Sequence, residues 1–129
     1  MQNSSRWIRI GAVGMTLAIL FGAFGVHALK GTLGEYEMSV FEKANYYHLT
    51  QSLGLLLVAL VGKSGLVGER AALVTLRLLL AGIVIFSGSL YLLALTGVRT
   101  FGAITPIGGV CLILGWAVLA LKAGESDYR

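Results

Sequence analysis

Charge is what this sequence has least of. Asp, Glu, Lys and Arg together make up 12% of its 129 residues, against roughly 25% in a soluble domain. Hydrophobic residues make up 57%. A soluble domain of this length leaves too much of its chain exposed to hide that much apolar surface, so the deficit excludes an ordinary water-soluble fold and points to a bilayer. Cysteine is reduced to Cys111, which excludes an internal disulfide, and one thiol does not by itself make a metal site. Cys111 lies in an apolar run and reads as a small packing side chain. Proline is reduced to Pro106, placed to open a helix, with Thr105 before it as a candidate cap. The net charge of +4 comes without a basic stripe interleaved with aromatics, which excludes a nucleic-acid surface. No acid lies inside an apolar run, so the chain of membrane carboxylates that proton-driven transporters often use is missing. No serine, cysteine or metal-ligand constellation resembles a nucleophile arrangement, and "GLVGE" lacks the Lys-Ser/Thr ending of a phosphate loop.

What is present is four apolar runs. A membrane helix needs about 20 mostly apolar residues to cross about 30 Å of hydrocarbon. Candidate spans cover residues 7–29, 46–61, 71–95 and 106–121, which predicts an all-α, four-helix transmembrane bundle made as a single integral membrane domain. Arg6 and Arg9 before the first run also suit a secretory signal, and "VHA" before Leu29 loosely resembles a cleavage site. The run is longer than the usual signal core of about 7–15 residues, and His27 crowds the supposed cut, so a span is the expectation. Arg6, Arg9, Lys63, Arg70, Arg77, Lys122 and Arg129 fall on one side of such a bundle, and Lys30, Lys43 and Arg99 on the other. The positive-inside rule then puts both termini in the cytoplasm. Arg77 reads as a side chain snorkelling to the headgroups, and Trp7 as part of an interfacial aromatic belt.

Between the first two runs, Thr32 and Glu35 match a capping box. Leu33, Tyr36, Val40, Phe41 and Ala44 follow at helical spacing. This predicts an amphipathic helix resting on the outer interface and running into the second span. The second span itself carries Asn45, His48, Gln51 and Ser52 within roughly one third of its circumference, a face too costly to turn to lipid. His27, Ser87, Ser89, Tyr91 and Thr105 lie toward the same end of the other spans. These nine residues form a candidate polar pocket in the outer leaflet, or else a set of interhelical hydrogen bonds. Two histidines are too few for zinc, and no cofactor is expected. Gly11, Gly14, Ala18, Gly22 and Gly25 recur every three or four residues and make a groove for another backbone, either within the chain or on a second copy.

The blocks "FGAFGVHALKG" (21–31), "FEKANYYHLTQSLGLLL" (41–57), "SGSLYLLALTG" (87–97) and "TPIGGVCLILGWAVLA" (105–120) resemble the family called domain of unknown function 423. That family includes bacterial inner-membrane proteins and the eukaryotic transmembrane protein 256. The resemblance covers about residues 8–121 and implies a four-helix integral membrane protein. Many relatives carry histidine where this chain has Gln51, and the family supplies no activity to transfer to His27 or His48.

The expected function is therefore a non-enzymatic component of the cytoplasmic membrane that associates with lipid, with a membrane-protein partner or with another copy of itself. A small-solute or proton-coupled pathway through the outer polar residues is the alternative. An intramembrane enzyme built on His27 and His48 is the third.

Overall fold

The computed structural model describes residue 1 and residues 3–126, so Arg129, one of the basic residues used above for orientation, lies outside the described residues. Among the described residues every regular element is helical. Helix α1 is Ser4–Leu29, α2 is Glu35–Ser64 and α3 is Glu69–Thr96. Helix α4 is Thr105–Lys122 and follows a short 3-10 turn, Arg99–Ala103. Gly65 (φ 79°) ends α2 and Gly97 (φ 71°) ends α3, the left-handed stop that only glycine takes without strain. Consecutive helices run antiparallel. The end bearing both termini is tied by Gly68 N–H to Glu125 O and by Gly124 N–H to Leu66 O.

Three of the helical stretches are long and apolar enough to cross a membrane: α1, α3, and Arg99–Lys122, which contains α4. Helix α2 has the length, 30 residues, but its middle is too polar to qualify by composition. The fold shows where that polarity goes. Helix α1 packs along α2, α2 along α3 and α3 along α4, so α2 turns its polar stripe inward. His48 is 7% exposed and Ser52 0%.

The interface helix expected before the second span is corrected by this α2. It is the first third of one continuous helix, and its apolar face is covered by protein: Val40, Phe41 and Ala44 pack with Leu90, Leu93 and Ala94 of α3. Tyr36 is exposed, with the Arg99 guanidinium 4.8 Å over its ring. The capping box is not formed. The helix opens after Gly34 without a side-chain cap, because the start falls two residues beyond Thr32 and glycine has no side chain to cap with. Thr105 does not cap α4 either; its hydroxyl is engaged elsewhere.

A second apolar cluster fills the end bearing the termini. Leu55, Val58 and Ala59 of α2 meet Leu76, Leu79 and Ile83 of α3, Leu112 of α4 and Trp7 of α1. Trp7 is thus a core residue, 9% exposed, and not part of a lipid-facing belt. Arg77 is exposed, as snorkelling requires. In helices packed within lipid, close van der Waals contact and interhelical hydrogen bonds do the holding, and small residues on α1 provide the contact. A Cβ on Gly11 would lie 2.9 Å from Leu56, on Gly22 2.6 Å from Asn45 Oδ1, and on Gly25 3.2 Å from Phe41. Gly14 faces Ser52, and Ala18 is 1% exposed. The groove they form is occupied by α2 of the same chain.

Candidate functional site

Between the two apolar clusters lies a polar layer whose centre is Tyr91. Asn45 Nδ2 donates to Ala18 O of α1 at 2.7 Å and to the Tyr91 hydroxyl at 3.2 Å. The same hydroxyl is 3.0 Å from His48 Nδ1. Phe21 meets the Tyr91 ring edge-on at 5.3 Å between centroids, and Phe41 does so at 5.1 Å. One residue of α2, Asn45, thereby joins α1 to α3, and desolvation by the aromatic rings strengthens each bond.

Two further bridges complete the layer. Ser89 and Thr105 hydroxyls lie 2.6 Å apart and link α3 to the start of α4. Thr105 Oγ1 also reaches back to Phe101 O. Trp116 of α4 donates its indole N–H to Gln51 Oε1 of α2 at 2.7 Å. Six of the nine residues, Asn45, His48, Gln51, Ser89, Tyr91 and Thr105, are therefore divided among three separate bridges. Ser52 and Ser87 are fully enclosed and their hydroxyls have no partner among the described residues. His27 belongs to none of these bridges and is exposed. It stands two residues beyond Gly25, which faces Phe41, and two residues turn a helix by about 200°, so His27 points away from α2.

Some of this was hidden at the level of sequence. Thr75, outside the nine candidate residues, is 0% exposed with a hydroxyl that has no partner among the described residues; its register with Ala72 and Leu79 on α3 was the available signal. Trp116 within an apolar run was a second signal, since a buried indole N–H looks for an acceptor. The two π turns, Phe21–Gly25 in α1 and Ile83–Ser87 in α3, have no sequence signature. They flank a cavity of about 230 Å3 beside the Tyr91 centre, bounded by Phe21, Val84, Ser87 and Gly88, with His48 in its wall. Among the described residues no three His, Cys, Asp or Glu side chains converge as metal ligands would.

The profile of the family described as protein of unknown function (DUF423) matches residues 21–109. The chain belongs to the DUF423 family. The matched stretch begins at the first π turn and takes in Asn45, His48, Tyr91 and the Ser89–Thr105 bridge, but ends before Trp116. A UPF0382 membrane protein of Staphylococcus epidermidis is 48% identical over 115 residues, 89% of this chain and 92% of its own. One from Staphylococcus saprophyticus is 46% identical over 89% and 93% of the two chains. The UPF0382 membrane protein YwdK of Bacillus subtilis is 39% identical over 91% and 94%. No solved structure matches this DUF423 chain. Its relatives are named membrane proteins, and the three membrane-capable helices agree with them.

Proposed function

We propose that this DUF423 protein is a four-span bundle of the cytoplasmic membrane with both termini in the cytoplasm. In this reading it is a non-enzymatic component that binds a bilayer lipid, a membrane-protein partner or a second copy. Four spans are supported by the inward polar stripe of α2, which leaves Leu53, Leu57 and Leu60 as its exposed residues over the apolar half. Orientation is supported by Lys63, Arg70, Arg77 and Lys122, which gather at the end bearing the termini.

The observation that carries the functional reading is the seal beneath the polar layer. Leu55, Val58, Leu76 and Leu79 are each 0–1% exposed and fill the space between the Tyr91 centre and the terminal end. An ion or polar solute reaching Asn45 would meet this plug, where the enclosed Thr75 hydroxyl offers little to hold it, and moving it through would cost most of its desolvation. The plug argues for binding over conduction and against the pathway alternative.

Two measurements test the reading. Native mass spectrometry of protein extracted with its surrounding membrane is expected to show a retained lipid, partner or second copy. Vesicles containing the purified protein and a pH-sensitive dye are expected to leak protons no faster than empty ones. A protein-dependent flux would overturn it.

A further inference from the structure

The cavity of about 230 Å3 at the two π turns borders the central bridge, with His48 and Tyr91 in its wall. Phe21 opens one π turn and Ser87 closes the other. Such turns insert a residue into a helix and recur at functional sites. His48, a polar residue only 7% exposed, forms part of the wall.

The order of hydrogen bonds fixes what His48 presents. Asn45 Nδ2 can only donate, so the Tyr91 oxygen accepts from it. The Tyr91 hydrogen then goes to the hydroxyl's other neighbour, His48 Nδ1, at 3.0 Å. A ring nitrogen that accepts carries no proton, so the neutral imidazole holds its proton on Nε2. Nε2 has no hydrogen-bond partner among the described residues. His48, with its Nε2–H unused, thus stands in the wall of a mostly apolar cavity with no formal charge among its lining residues. What satisfies it is an acceptor on an otherwise apolar molecule.

We propose that this cavity receives the carbonyl oxygen of a bilayer-soluble amphiphile, bound by the Nε2–H of His48. The amphiphile enters sideways from the lipid. Its apolar body lies along an adjoining groove of about 530 Å3, which shares Val84, Gly88 and Tyr91 with the cavity and runs past Leu92 and Phe101. This rests on the lipid-binding reading above and narrows it to one site and one chemical group. Two sources carry that group: the acyl ester of a glycerolipid and the ring ketone of a quinone.

The test uses the full chain with His27→Ala, which leaves His48 as the single histidine of the original two. The 15N-labelled protein is placed in bicelles of ether-linked lipid, which have no ester carbonyl. NMR is expected to show the proton on Nε2 and none on Nδ1. Adding either a short-chain benzoquinone or a diacyl ester lipid is expected to shift the Nε2 resonance, and the compound that does so identifies the source. Gly88→Leu plugs the shared mouth. A Cβ there meets nothing within 4 Å, so the variant folds, and it is expected to weaken the response at least about tenfold, the loss expected when a shape-matched contact of roughly 1.4 kcal/mol is removed. Tyr91→Phe is expected to mix the two tautomers and weaken the response. A proton resting on Nδ1, no shift with either compound up to saturation of the bicelle, or unimpaired binding by Gly88→Leu would each overturn the proposal. If it falls while native mass spectrometry still finds a retained lipid or partner, only this site is lost. Proton flux in vesicles would instead remove the wider reading.

Discussion

Trp116 and Gln51 are joined by a 2.7 Å hydrogen bond from indole Nε1 to Oε1, and the indole lies over Gly54, where a Cβ would come within 2.7 Å of its ring. Glycine and glutamine, three residues apart on α2, thus make a seat for a tryptophan of α4. Trp116→Phe retains the ring contact and drops the bond. It is expected to lower stability by about 1 kcal/mol, the usual worth of an interhelical hydrogen bond in membrane proteins. In a double-mutant cycle the added Gln51→Leu should then cost little more. Unfolding in mixed micelles measures both; additive losses would show that the two side chains act independently.

Two glycines of similar sequence context should respond in opposite ways. At Gly108 a Cβ would collide with the Phe86 backbone, 2.8 Å from its Cα. Gly108→Ala should therefore destabilise by about 1–3 kcal/mol through overpacking. At Gly88 nothing lies within 4 Å, and Gly88→Ala should be neutral or stabilise by up to about 1 kcal/mol from helix propensity. Thermal unfolding of the two variants side by side checks the contrast.

Asn45 feeds two acceptors, Ala18 O and the Tyr91 oxygen. Asn45→Asp replaces the donor with an acceptor against both, and should cost more than Asn45→Ala, whose expected loss is about 1–2 kcal/mol. If the aspartate variant proved the more stable, the assigned direction of these bonds would be reversed.

The Thr75 hydroxyl is enclosed without a partner. Thr75→Val preserves the shape and removes an unmet donor, so stability should hold or rise by up to about 1 kcal/mol. A clear loss in the unfolding assay would reveal an acceptor that the structure does not place beside it.

The family resemblance and the positions of four helices were legible because long apolar runs and glycine-marked ends leave a plain record in sequence. The polar stripe of α2 was legible too, since Asn45, His48 and Ser52 repeat at helical spacing. What could not be read is the register around that stripe. Helical periodicity put His27 near the cluster by level along the helix, while its azimuth beyond Gly25 turns it outward. The capping box at Thr32 gave a helix start that the backbone passes over, since the helix begins two residues later, after Gly34. The π turns were illegible in principle: inserting a residue into the hydrogen-bond ladder is a tertiary choice that no local residue type dictates. Partner identity between helices, such as Trp116 with Gln51, likewise needs the crossing geometry, which a single sequence does not carry.

Helix α2 has one further consequence. Thirty residues at 1.5 Å each make a rod of about 45 Å, half as long again as the roughly 30 Å of hydrocarbon. In the four-span arrangement proposed above, its first turns stand clear of the outer leaflet as a rigid post, braced by Arg99 against Tyr36. Because the post and the buried stripe are one unbroken helix, whatever tilts or twists the post outside the membrane must turn Asn45 and His48 with it.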